Sequence, residues 1–250
     1  MSTGERRVCL LTGAGGVLGD AFCRAYHRQY DIVAVCRART PAAPSQDEWF
    51  VDPLDPETPV PENDSRVHLV RAELLEPGEV ERVVDLALAR FGRVDLLVNN
   101  AAYSRWLPRG VVDGDVALDE FYPHYAMNVA VPLRFATRLA QRSWLRTDAE
   151  NRARNRNVVN VSSIAGSAVY PGGQALYGSS KAALNHLTRH LAAEFAEFGV
   201  RVNAVAPNSF PSIVPTERVA RSIVELDEAE VTGQVFSVDA EAAVSGRHAM

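Results

Sequence analysis

Seven short apolar runs, mostly β-branched and bounded by turn residues, alternate in this chain with longer amphipathic stretches. That alternation most constrains the fold. The runs are Val8–Leu11, Ile32–Cys36, Val67–Val70, Val94–Val98, Val158–Val161, Val200–Val205 and Val235–Val238, and their length and composition suit buried strands. Between them, Leu18–Gln29, Pro77–Phe91, Leu118–Leu145, Ala175–Phe198 and Thr216–Leu226 carry helical periodicity. Strands separated by helices pair in parallel through right-handed crossovers, not as hairpins. The pattern predicts an α/β fold: a doubly wound parallel sheet with helices on both faces, in a single domain over residues 1–250. A chain of this length buries enough surface to hold without disulfides or metal.

Two segments break the rhythm. Thr40–Ser65 carries six prolines and many acids, which excludes a crossover helix because proline lacks the backbone donor and clashes with the preceding turn. It reads as a long Pro-rich loop insertion, solvated or serving as a lid. Arg142–Asn157 is polar, with five arginines, and reads as a solvated helix end and linker.

Charge and cysteines narrow the function classes. A net charge of −5 gives no reason to expect a nucleic-acid partner. No stretch approaches the ~18–20 apolar residues of a membrane span, and Val8–Leu11 is too short for a secretory h-region. Cys9, Cys23 and Cys36 lack C-x-x-C spacing and the histidines lack metal-ligand spacing, so no metal site is expected. The cysteines read as buried hydrophobes of a reducing, cytoplasmic compartment. Of 26 basic residues, Lys181 is the single lysine. GC-rich coding explains the arginines but not why one compact, tunable ammonium is kept.

The first strand runs into Thr12-Gly13-Ala14-Gly15-Gly16-Val17-Leu18-Gly19 and then directly into a helix. Glycines at such a turn let the backbone approach a pyrophosphate resting on the helix N-terminus. The second strand ends in Arg37, with Arg39 two residues on and no acid at the position that would hold a ribose 2′-OH. An arginine there accommodates a 2′-phosphate, so NADP(H) is favoured over NAD(H). Further along, Tyr177 and Lys181 are spaced i, i+4 and share one helix face. A cation beside the phenol is expected to lower its pKa and fit it for proton transfer near neutral pH.

These motifs, in this order, resemble the short-chain dehydrogenase/reductase family over essentially the whole chain. Thr12–Gly19 is similar to its glycine motif and Asn99-Asn100-Ala101-Ala102 to its N-N-A-G. Asn128 matches the catalytic asparagine, Asn160–Ser163 with Gly166 the serine segment, and Tyr177…Lys181 the signature pair. The resemblance implies a seven-stranded Rossmann-like sheet in the order 3-2-1-4-5-6-7. It also implies a small-molecule carbonyl or alcohol substrate, and a homodimer or homotetramer through the helices Leu118–Leu145 and Ala175–Phe198. By the same resemblance Tyr177 exchanges the proton at the substrate oxygen, and Lys181 lowers its pKa and holds the nicotinamide ribose. Ser163, with Ser162 as the alternative, would bond the substrate oxygen. Asn128 would bend its helix and hold a relay water. Gly13, Gly15, Gly16, Val17, Leu18, Gly19, Arg37, Glu73, Leu74, Asn100, Ala101, Tyr177, Lys181 and Ser212 would contact cofactor.

The departures carry information too. Val17 replaces a glycine, leaving T-G-x-x-G-x-x-G spacing, which the extended branch of epimerases and dehydratases also shows. Glu73 stands for an aspartate, Ala102 for glycine, Asn208 for a glycine after Pro207, and Ala240-Glu241 for a terminal Gly-Gly. The largest departure is a deletion: only Asn208–Glu217 stands where the family carries a substrate-covering loop. That keeps two rivals open, an extended-type nucleotide-sugar enzyme and a catalytically idle NADP-binding protein.

Overall fold

The computed structural model describes residues 6–45, 66–112, 114–170 and 172–239. Among them seven strands form one parallel sheet, β1 (Arg7–Thr12), β2 (Tyr30–Cys36), β3 (Val67–Arg71), β4 (Leu96–Asn99), β5 (Asn157–Val161), β6 (Arg201–Pro207) and β7 (Val235–Val238). Their spatial order is β3-β2-β1-β4-β5-β6-β7, the order the resemblance implies. Each predicted run is a strand, with ends shifted by one or two residues.

Alternation along the strands divides the core between two faces. Cys9, Leu11, Ile32 and Ala34 pack on one face under α1 (Val17–Tyr26) and the C-terminal helix Thr216–Glu228. Leu10, Val33 and Val35 pack on the other, where α2 (Glu79–Phe91) and the helices Val131–Arg142 and Ala175–Phe195 lie. Covering both faces is what forces the strands to be apolar throughout. Because β1 is followed by β2 on one side and flanked by β4 on the other, the strand order reverses between β1 and β4, and a crevice opens at the strands' carboxyl ends.

Two expectations need correction. Leu118–Leu145 is not one helix: it comprises α3 (Asp115–Asp119), α4 (Phe121–Tyr125), a π-turn over Ala126–Ala130, α5 (Val131–Arg142) and a 3-10 turn over Trp144–Arg146. The π-turn holds Asn128, so the irregularity sits at the residue expected to bend the helix. Nor is Arg142–Asn157 a solvated linker. It contains α6 (Asp148–Ala153), and Trp144, Asn151 and Arg156 are buried. The Trp144 indole donates to the Val94 carbonyl at 3.1 Å. Arg156 donates to Asn151 at 2.5 Å and Glu150 at 2.6 Å, and lies 3.5 Å from Asp95. Asp95 in turn accepts the Val8 N–H at 3.0 Å. The arginine that reads as surface charge thus anchors the starts of β5 and β1.

The remaining helices are α7 (Ala175–Phe195) and α8 (Thr216–Glu228). At the start of the Pro-rich segment Ser45 bridges Val67 beside β3. Residues 46–65, which carry most of the expected loop, and Ala240-Glu241 lie outside the described residues.

Candidate active site

Two close main-chain approaches and four side-chain hydrogen bonds shape the first turn. Gly13 has φ +66°, and a Cβ there would meet Ala101 at 2.9 Å. A Cβ at Gly19 would press on the Gly13 carbonyl at 2.5 Å, so that glycine serves close packing of helix on strand. The Thr12 hydroxyl accepts the N–H groups of Asn100 and Ala101 at 3.0 and 2.9 Å, and the Asn100 amide donates to the Thr12 and Gly13 carbonyls at 2.9 and 3.1 Å. The two motifs read separately in sequence are one device: Asn100 and Ala101 clamp the exit of β1.

This turn opens on a cleft of ≈ 550 Å³ walled by Gly13, Gly15, Gly16, Val17, Leu18, Arg37, Glu73, Leu74, Asn100 and Ala101, together with Met127, Phe210 and Arg39. Of the expected cofactor residues, these ten come together there. The N-cap of α1, Gly16, has no side-chain cap, which leaves the first N–H groups and the positive end of the helix facing the cleft. Arg37 lies 3.5 Å from Glu73. Arg39 crosses the turn, its guanidinium donating to the Gly15 carbonyl. A slot with backbone donors at one end and arginines at its lip fits a dinucleotide phosphate.

Next to it, sharing Phe210 as a wall, lies a pocket of ≈ 310 Å³ lined by Ser162, Ser163 and Tyr177. Tyr177 sits in the first turn of α7, and the Ser163 hydroxyl lies close enough to its phenol to favour the phenolate. Lys181, one turn on, is 2% exposed. Its ammonium donates to the Val161 carbonyl at 2.8 Å and stands 5.7 Å from the centre of the Tyr177 ring. Gly166 allows the β5–α7 connection to close on this point, since a Cβ there would meet the Lys181 main chain at 2.8 Å. Asn128 accepts from the Tyr103 N–H at 2.8 Å and donates to the Tyr103 carbonyl and the Ser180 hydroxyl, both at 2.9 Å.

A family model described as short chain dehydrogenase matches residues 7–221. The chain belongs to the short-chain dehydrogenase family. Its relatives include protein FixR of Bradyrhizobium diazoefficiens, 32% identical over 208 residues that make up 82% of this chain and 67% of FixR. The 2-(R)-hydroxypropyl-CoM dehydrogenase of Xanthobacter autotrophicus is 27% identical over 235 residues, 92% of this chain and 82% of that protein. An oxidoreductase of the same family from Brucella ovis, solved with a partially ordered NAD, superposes with a TM-score of 0.68 at 26% identity, covering 94% of this chain and 100% of that one. This short-chain dehydrogenase is therefore an NAD(P)-dependent oxidoreductase.

Within that family frame, the electrostatics of the tetrad differ from the sequence expectation. The Tyr177 pKa is raised, not lowered: burial disfavours the phenolate and outweighs the hydrogen bond from Ser163. The Lys181 ammonium turns toward β5 and its own pKa is pushed down to about 8 by burial. The reasoning from spacing counted the charge and omitted the desolvation of both groups. Ser212, expected to contact cofactor, is exposed in the turn before α8 and lines neither the cleft nor the pocket, whereas Ser209 and Phe210 line the pocket. Asn208, which replaces the glycine after Pro207, donates its amide to Asp239 at 2.8 Å.

Tyr103 and Arg105, which follow β4, read from sequence as near the site, but Glu120 and His124, which hold them in the wall between β4 and α3, do not. Tyr103 donates to Glu120 at 2.7 Å, and Arg105 also pairs with Glu120. The buried His124 ring stacks edge-on to Tyr103, accepts the Arg105 N–H at 3.3 Å through Nε2, and therefore donates from Nδ1 to the Glu120 carbonyl at 2.7 Å. Arg105 is thus neutralised from within. No short spacing signals this link, because its partners lie 15 to 19 residues apart.

Proposed function

We propose that this chain is an NADP-dependent reductase or dehydrogenase interconverting a carbonyl and a secondary alcohol, working in the cytoplasm as a homodimer or homotetramer. One observation carries the reading: Ser163 and Tyr177 together line a pocket that adjoins the glycine-turn cleft through Phe210. When bound, the nicotinamide supplies the hydride. The protein's part is to orient and to move a proton. The Ser163 and Tyr177 hydroxyls converge where a substrate oxygen gains charge, and oriented donors stabilise a developing alkoxide. Tyr177 gives its proton to that oxygen in reduction and takes it back in oxidation. Burial keeps the Tyr177 phenol protonated but makes it a weaker acid, a shift that the neighbouring Ser163 hydroxyl opposes. Lys181 keeps a cation near the ring, and Asn128 fixes the loop through Tyr103. The preference for NADP rests on Arg37 and Arg39 at the cleft lip and on the lack of an acid at the end of β2, the nearby Glu73 being paired with Arg37. Three free, buried cysteines suit a reducing compartment. No helix among the described residues is long and apolar enough to cross a membrane. The test is a panel of ketones and aldehydes with NADPH and NADH, followed by nicotinamide absorbance. Oxidation of NADPH with at least one carbonyl supports the reading; NADPH binding without turnover on any of them favours an idle binder.

A further inference from the structure

The pocket holding Ser163 and Tyr177 is not closed on the side away from the cofactor cleft. Three of its wall residues, Ala165, Tyr170 and Gln174, also line a second cavity of ≈ 410 Å³. The two cavities therefore adjoin along these three residues, the second lying beyond them from the reacting hydroxyls. Along the outer part the surface is apolar: Val111, Val112, Ala168 and Val169 line it, and Arg109 is the charged residue of that wall. Val112 is 81% exposed and Val169 97%. Single exposed valines need no explanation, but several together in a cavity adjoining a reactive site mark a binding surface.

The groove is also held in shape. The Trp106 indole donates to the Gly172 carbonyl at 2.5 Å. Gly173 has φ +83°, and a Cβ there would overlap the Leu107 carbonyl, so the segments on either side of the groove meet main chain to main chain. The short Asn208–Pro215 connection leaves this flank to those two segments.

We propose that the outer groove binds the apolar tail of the substrate, so that the enzyme acts on carbonyl compounds whose carbonyl heads an aliphatic chain of several carbons. The proposal rests on the reading that Ser163 and Tyr177 receive the carbonyl. The tail runs past Ala165 and Tyr170 onto Val111, Val112 and Val169, and each methylene it lays there leaves water.

The experiment uses the full chain with NADPH and a series of 2-alkanones from butanone to decanone. Affinity is read by calorimetry and turnover by absorbance. Both Kd and KM are expected to fall roughly three- to fourfold per added methylene until the groove is filled, and Val112→Asp and Val169→Asp are expected to flatten that dependence. Both side chains are exposed, so these changes do not disturb the core. Affinity that rises with length without turnover rejects the carbonyl-reducing function while leaving the groove assignment standing. Turnover with length-independent affinity overturns the groove assignment alone. A Val169→Asp variant that alters sedimentation but keeps the wild-type length dependence assigns the patch to a second copy of the chain and overturns the proposal. Neither binding nor turnover at any length overturns both readings.

Discussion

Lys181→Met should make this protein more stable at neutral pH while destroying its chemistry. Lys181 is fully buried, no carboxylate among the described residues pairs with it, and its ammonium has one hydrogen bond, to Val161. Burial pushes its pKa from the ordinary 10.5 to about 8. At about 1.4 kcal/mol per pH unit, the charged form costs the fold on the order of 3 kcal/mol at pH 7. The sign follows from proton counting: between pH 8 and 10.5 the unfolded chain binds more protons than the folded one, so stability rises with pH across that window. Below pH 8 the penalty is fully present, and above 10.5 it is gone. Methionine removes the penalty but forfeits the bond to Val161, about 1 kcal/mol. The variant should therefore gain about 2 kcal/mol at pH 7. Urea titrations of both proteins without cofactor, followed by circular dichroism at pH 7 and pH 10, measure the difference, and groups common to both cancel. The advantage of the variant should shrink by roughly 2–3 kcal/mol between the two pH values. An advantage that is absent at pH 7, or the same at both, refutes the desolvation argument.

Three further outcomes follow from the geometry. Arg37→Asp should weaken NADPH binding by roughly 10- to 100-fold, the loss of a charge-assisted bond, with NADH affinity unchanged or improved; fluorescence titration of both cofactors checks it, and equal wild-type affinities for the two contradict it. Trp144→Ala should destabilise the fold by about 3–5 kcal/mol in urea, as for a large core side chain, whereas a solvated linker would not notice it. Sedimentation of the wild type should show particles of two or four chain masses at micromolar concentration, and only single chains would reject the assembly.

What could be read from the sequence was what is written locally. Strand runs, the glycine turn and the Tyr177–Lys181 spacing each need only neighbouring residues, and the structure places them where that spacing implies. Contacts between distant segments were invisible. The polar run ending at Arg156 looks like solvated surface until Asp95 and Glu150 meet it, and nothing near Tyr103 announces Glu120 or His124. The Tyr177 pKa failed for a related reason: i, i+4 spacing gives proximity to a charge but carries no information about burial. A helical reading of Leu118–Leu145 likewise hides the π-turn at Asn128, since a register shift confined to one turn is too short to show in the apolar spacing.

The central claim, that Tyr177 moves the proton at the substrate oxygen, is tested most directly by Tyr177→Phe. The measurement is single-wavelength turnover of NADPH with a carbonyl that the wild type accepts, alongside NADPH binding by fluorescence. The substitution removes one oxygen from a side chain on α7, away from the glycine turn, so cofactor affinity should stay within about twofold while kcat falls at least ~10²-fold, the loss typical of a positioned acid–base group. Wild-type turnover in Tyr177→Phe, with cofactor bound normally, would contradict the assignment.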